Sequence, residues 1–248
     1  METNAYLSEL VAGIIYLLAG ARLVSLGIRT GQTPERFLGA AFMMYGVSGV
    51  VYAIAAFESL TAFWTPLNFA ARVAYLPCPL LVAIFTARVF RPDDRWARWI
   101  VQGVAILFLA GVGGAALNGD WEGFSLGNPF FWLEWVGYTL PFGWAAAEAF
   151  HQYLQARRRV SIGLCEPSVC NRLLLWSLFG LIQVLGSFVV IGQYAAYERE
   201  NIFSSSWDYL YGGTIIAALL VMWFAFFPPA SFVRWVNRST GTNAAVQA

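Results

Sequence analysis

The chain has 248 residues, a net charge of +1 and a mean hydropathy of +0.60; only 12% of its residues are charged and 59% are hydrophobic. Soluble domains carry about 25% charged residues, so this composition excludes a soluble fold, a disordered chain and a nucleic-acid-binding domain. Three cysteines are too few for a disulfide scaffold.

Predominantly apolar stretches of about 20 residues, the length a helix needs to cross a bilayer, run over 7–28, 37–58, 67–90, 99–117, 131–155, 173–196 and 208–228. Each ends at charges or turn residues: 31–36, 59–66, 91–98, 118–129, 157–172 and 198–207. Barrel strands would alternate over about ten residues, so the stretches predict an all-α bundle of seven membrane helices.

The first span has Glu2 and Glu9 before it and Arg22 and Arg29 after it. It lacks the basic start and small-residue cleavage site of a signal peptide and reads as an uncleaved anchor. The chain contains no lysine, so arginine alone sets orientation. Arg22, Arg29, Arg36, Arg88, Arg91, Arg95, Arg98, Arg157, Arg158, Arg159, Arg172, Arg234 and Arg238 gather beside the loops after spans 1, 3 and 5 or beside the C-terminus. The opposite side carries acids, among them Glu58, Asp120, Glu122, Glu134, Glu198 and Asp208. The positive-inside rule then puts the N-terminus outside and the C-terminus in the cytoplasm, as in a bacterial-type inner membrane. Residues 239–248 read as a disordered tail.

Arg22, Val24, Ser25, Gly27, Arg36 and Leu38 recur 136 residues later as Arg158, Val160, Ser161, Gly163, Arg172 and Leu174. This predicts two parallel three-helix repeats, about 7–92 and 130–236, joined by a linker helix at about 96–117 within one membrane domain, 1–238. Parallel repeats are one transporter pattern. The layout also resembles microbial rhodopsins in architecture, but a retinal Schiff base needs a lysine and is excluded. No cofactor is expected.

In span 2, Tyr45 and Ser48 lie near mid-membrane, and Gly46 and Gly49 suggest close helix contact, as do Gly111, Gly113 and Gly114 in span 4. In span 3, Arg72 sits about five residues inside the outer end. A charge at such depth faces the bundle and is usually paired; Glu58, Glu134 and Asp208 are the candidates. Alternatively, Arg72 holds an anionic group in an outer vestibule. Tyr75 follows, then Pro77-Cys78-Pro79, which should kink or open the helix, as Pro141 should in span 5. Broken helices at the midplane are where transporters place substrate sites. The candidate ligand-binding residues are therefore Arg72, Tyr75, Cys78, Tyr45, Gln183, Tyr138 and Asp208, a mildly polar, tyrosine-rich set that fits a neutral or largely apolar ligand.

Glu148 and His151 form a Glu-x-x-His in span 5, a spacing used by carboxylate-bridged metal bundles. His151 is the single histidine and no second such motif exists, so no metal is expected; Glu148 is expected to pair with Arg22 or Arg157. Cys165 and Cys170 lack the second ligand pair that zinc needs. No catalytic constellation is found, and the chain is expected not to be an enzyme. The expected partners are membrane lipids, a small-molecule ligand and a cytoplasmic protein docking on the loop 156–172. The leading expectation is a small-molecule facilitator. A non-retinal sensor acting through a cytoplasmic partner is the first alternative, and an assembly or scaffold subunit the second.

Overall fold

The computed structural model describes residues 3–55, 63–119, 125–200 and 205–241. Among these there is no strand. The helices are α1 (Thr3–Thr30), α2 (Thr33–Ala55), α3 (Trp64–Tyr75), α4 (Pro77–Phe90), α5 (Arg95–Leu117), α6 (Pro129–Val160), α7 (Pro167–Glu200), α8 (Ser205–Phe226) and α9 (Ala230–Gly241).

Their ends follow local chemistry. Gly31 and Gly119 lie just beyond α1 and α5 with φ of 73° and 77°, the left-handed region that a helix C-terminus favours and only glycine enters without cost. Asn128 caps α6 by accepting a hydrogen bond from the Phe130 amide at 3.0 Å, and Pro129 occupies the first turn, where no N–H is needed. Pro228 and Pro229 separate α8 from α9.

Six segments are long and apolar enough to cross a membrane: Glu9–Thr30, Thr33–Ala55, Thr65–Phe90, Arg95–Leu117, Pro167–Ala196 and Tyr209–Phe226. The protein is an all-α, multi-pass integral membrane protein. Its outer faces carry exposed Ile106, Leu109 and Leu117, apolar surface that suits lipid and not water. The remaining long helix, α6, has 32 residues but carries Glu134, Glu148, Trp132, Trp135 and Tyr138, which lower its apolarity.

The neighbour relations close a ring: α1 packs on α2, α2 on α3 and α4, α4 on α6, α6 on α7, α7 on α8, and α8 back on α1. Helix α5 stands outside the ring against α4 and α6, and α9 lies against α7. The α1–α2 pair is drawn close by glycines seven residues apart. A Cβ on Gly20 would stand 2.6 Å from the Gly39 carbonyl oxygen, and one on Gly46 would stand 2.7 Å from that of Gly13. Gly27 continues the series, and its carbonyl accepts a hydrogen bond from Arg36 Nε at 3.0 Å.

Several expectations change. Span 3 is two helices, with Leu76 between them still in α-helical conformation (φ −49°, ψ −43°), so Pro77 and Pro79 make a kink and not an open loop. Pro141 sits inside an unbroken α6. Gly111 and Gly114 do meet α6, at Glu134 and the Phe130 ring, whereas Gly113 faces open space. This is because successive helical residues point about 100° apart and only one face can touch α6. Helix α9 runs to Gly241, past the start of the expected tail; 242–248 lie outside the described residues. The two segments related by 136 residues differ locally: Ser25 and Gly27 are inside α1, whereas Ser161 and Gly163 form the turn after α6.

Candidate functional site

The bundle has an acidic end, where α1 starts, and an arginine end, where α1 stops. On α3, eight residues from its start, Arg72 reaches across to α6 and grips Glu134 with both arms of its guanidinium. Nε donates to Oε2 at 2.8 Å and Nη2 donates to Oε1. The side chains are only 12% and 17% exposed. A planar fork meeting a carboxylate through two parallel hydrogen bonds is the strongest form of this pair. Glu134 is thus the contact among the three acids considered. Glu58 lies outside the described residues, and so does the Asp208 side chain, although Asp208 falls within α8.

One turn before Arg72, Asn68 is buried and its Nδ2 has no hydrogen-bond partner among the described residues. Tyr194 of α7 lies within electrostatic reach of both Arg72 and Glu134. Asn68, Arg72 and Tyr75 recur at helical spacing and share one face of α3.

Tyrosines from four helices lie deeper. Tyr16 of α1 and Tyr45 of α2 have ring centroids 4.5 Å apart, Tyr45 and Tyr75 5.7 Å, and Tyr75 and Tyr138 of α6 5.3 Å. Cys78, 2% exposed, belongs to the same buried cluster. Glu9 of α1 joins from the acidic end: its side chain hydrogen-bonds Tyr211 of α8 and its Oε2 stands 3.6 Å from the position a Gly49 Cβ would take. The prolines add polar backbone here. Pro77, Pro79 and Pro141 have no N–H, so the carbonyls of Val73, Tyr75 and Gly137 lose their helical donors.

Towards the arginine end the rings lose their hydroxyls, and the one polar side-chain atom they carry, Trp176 Nε1, is buried with no hydrogen-bond partner among the described residues. Tyr138 touches Phe142 (5.0 Å), Phe142 touches Phe179 (6.1 Å), and Phe179 stacks on Trp176 (5.1 Å, 20° between planes). Phe42 closes on Tyr16 and Phe179. Phe42, Phe142 and Phe179 are at most 2% exposed, whereas Tyr45, Tyr75 and Tyr138 remain partly exposed. Gln183 is buried on α7, one turn beyond Phe179 and one before Ser187. Ser187 ties α7 to α6, its carbonyl accepting from Trp135 Nε1 at 3.0 Å and its hydroxyl from Thr139 at 3.1 Å.

A second ion pair lies at the arginine end. Glu148 is buried and accepts from Arg91 Nε at 2.9 Å and Trp144 Nε1 at 3.2 Å, so its partner is Arg91 and not Arg22 or Arg157. The hydrogen bond from Arg91 to Glu148, aided by Asp94, raises the guanidinium above its ordinary pKa and keeps it charged. His151 is exposed and hydrogen-bonds Gln155 at 2.9 Å, so Glu148 and His151 have different partners. The described residues hold no group of three or more metal-ligating side chains. Replacing Glu148 by Gln retains an acceptor for Trp144, whereas Leu leaves that N–H unpaired. Glu148→Leu should therefore cost about 1–3 kcal/mol and Glu148→Gln clearly less, with a matching shift in tryptophan emission, measured by thermal unfolding and fluorescence in detergent.

Of the seven candidate residues, the structure thus brings Tyr45, Tyr75, Tyr138 and Cys78 into one cluster, with Arg72 above it on α3. Reading the sequence missed Glu9, Tyr211 and Asn68. Glu9 was legible as an acid two turns into α1, had the helix been started at Thr3. No protein-family model, no curated protein and no solved structure matches the chain.

Proposed function

We propose that this is a seven-pass inner-membrane protein, N-terminus outside and C-terminus cytoplasmic, that binds a small, neutral or largely apolar molecule among Tyr16, Tyr45, Tyr75 and Tyr138. The observation that carries this reading is the asymmetry of the aromatic column. Its half towards the acidic end offers several hydroxyls, proline-freed carbonyls and the Asn68 amide, whose Nδ2 has no partner among the described residues, while the half towards the arginine end is a Phe–Trp plug whose one polar side-chain atom is Trp176 Nε1. Small-molecule sites have this composition, mostly apolar and aromatic walls with a few convergent polar groups. Entry would come from the outer side, by movement of α3 about Leu76–Pro77 that separates Tyr75 from Tyr138.

A one-sided site favours a receptor or sensor that passes ligand occupancy to a cytoplasmic partner at 156–172. The second reading, a facilitator, is favoured by the kink between α3 and α4 and by the ring itself. In that reading, α1, α2 and α3–α4 would make one unit and α6, α7 and α8 a second, parallel one, with α5 outside. It requires the Phe42–Phe142–Phe179 plug to open. The two readings separate in proteoliposomes: a receptor binds solute without counterflow. A facilitator exchanges it, and exchange falls in Gln183→Ala and Tyr45→Phe. Neither binding nor exchange, across a library of neutral aromatic and apolar solutes, would leave the scaffold alternative.

Orientation has a built-in probe. Cys78 and Cys170 are buried, and Cys165, in the turn after α6, is the accessible thiol among the three. A membrane-impermeant maleimide should label Cys165 in inverted vesicles and leave it untouched in right-side-out ones. The reverse pattern would invert the proposed topology.

A further inference from the structure

At the seam where the ring closes, between α1 and α8, a groove of about 500 Å³ opens on the outer surface, lined by Ile15, Leu18, Ala19, Leu219, Leu220 and Trp223, with Arg22 at its arginine end. Leu18 and Leu220 are 65% and 55% exposed, so the trough faces the acyl chains and not the core. Its only charged lining residue is Arg22, whose guanidinium stands 4.4 Å over the Phe227 ring. Phe227 immediately follows α8, which places the cation at the level where that helix leaves the bilayer. Among the described residues no carboxylate pairs with Arg22. An apolar trough ending in a cation held at headgroup depth by an aromatic ring matches the two halves of one molecule.

We propose that the α1–α8 groove is a binding site for an anionic phospholipid, its acyl chain along Leu18, Leu219 and Leu220 and its phosphate on Arg22. The charge of the headgroup follows from the cation, since a zwitterionic lipid fills the trough equally but brings a compensating ammonium. A smaller groove of about 340 Å³ on the other flank of α1 ends at Arg29 and lacks the aromatic clamp, which makes Arg29 the matched control.

The test is native mass spectrometry of the full chain in mild detergent with equimolar phosphatidylglycerol and phosphatidylcholine. Attraction of a headgroup to one interfacial arginine gives about a fivefold preference for the anionic lipid. Arg22→Gln should erase that preference while Arg29→Gln leaves it, and Leu220→Trp, a bulkier side chain on an exposed position, should displace both lipids. Equal retention of the two lipids by the native chain, a preference that survives Arg22→Gln, or one lost only in Arg29→Gln would overturn the proposal.

Discussion

Replacing Arg72 by alanine should destabilise the protein by an amount approaching the about 3–5 kcal/mol that stripping one partner from a fully buried ion pair costs, reduced because this pair is only partly buried, and seen as a fall in the detergent unfolding midpoint. The reason is Glu134, which would stay half-buried against Gly111 without its bidentate guanidinium partner. Removing both charges relieves that penalty: Arg72→Met with Glu134→Leu should recover most of the loss. The recovery matters for function, because a purely structural pair can be exchanged for apolar side chains whereas a ligand-facing one cannot. The double variant should fold well and bind the ligand more weakly. Full recovery of both stability and binding would reduce the pair to a strut between α3 and α6.

The α1–α2 interface should be equally intolerant, for a steric reason. Gly39 needs room against Val24 N at 2.7 Å and the Gly20 carbonyl at 2.8 Å, and backbone cannot step aside as a side chain can. Gly39→Val forces the helices apart and should cost at least the about 1–3 kcal/mol typical of overpacking. Gly20→Val should behave alike. Gly113 supplies the contrast, since it meets nothing within 4 Å. Gly113→Ala should be neutral or stabilising by about 0.5–1 kcal/mol through helix propensity. Comparable losses at Gly39 and Gly113 would mean that the glycines act through propensity and not through contact.

The multi-pass helical architecture was legible because the bilayer writes itself into composition: long apolar runs, arginines on one side, acids on the other. Depth was legible for the same reason, which is how Glu134 could be placed, with Glu58 and Asp208, among the candidate partners of Arg72 from position alone. Facing was not. In water the hydrophobic stripe of a helix marks its buried side, but in lipid both sides are apolar. Leu18 and Leu220, exposed, are therefore chemically indistinguishable from buried Leu23 and Leu219. The same blindness hid the partner of Glu148, because Arg91 stands just past the end of α4 and nothing in the sequence shows which way it turns. Exceptions came where chemistry breaks the symmetry. The prolines at 77, 79 and 141 announced where backbone carbonyls lose their donors. The glycines at 13, 20 and 27 against 39 and 46 carry a seven-residue spacing that marks a contact face, of which the sequence reading names Gly46 alone as a sign of close helix contact.

The most direct test of a ligand site among the tyrosines is native mass spectrometry of the freshly purified protein, with an absorption spectrum of the same sample, set beside a Tyr75→Phe/Tyr138→Phe double variant. That variant keeps both rings and the packing of the column but removes two hydroxyls. The site predicts a stoichiometric small molecule, other than phospholipid, on the native chain and its loss from an equally stable double variant. A native chain that carries only lipid, or a molecule retained unchanged by the variant, would contradict it.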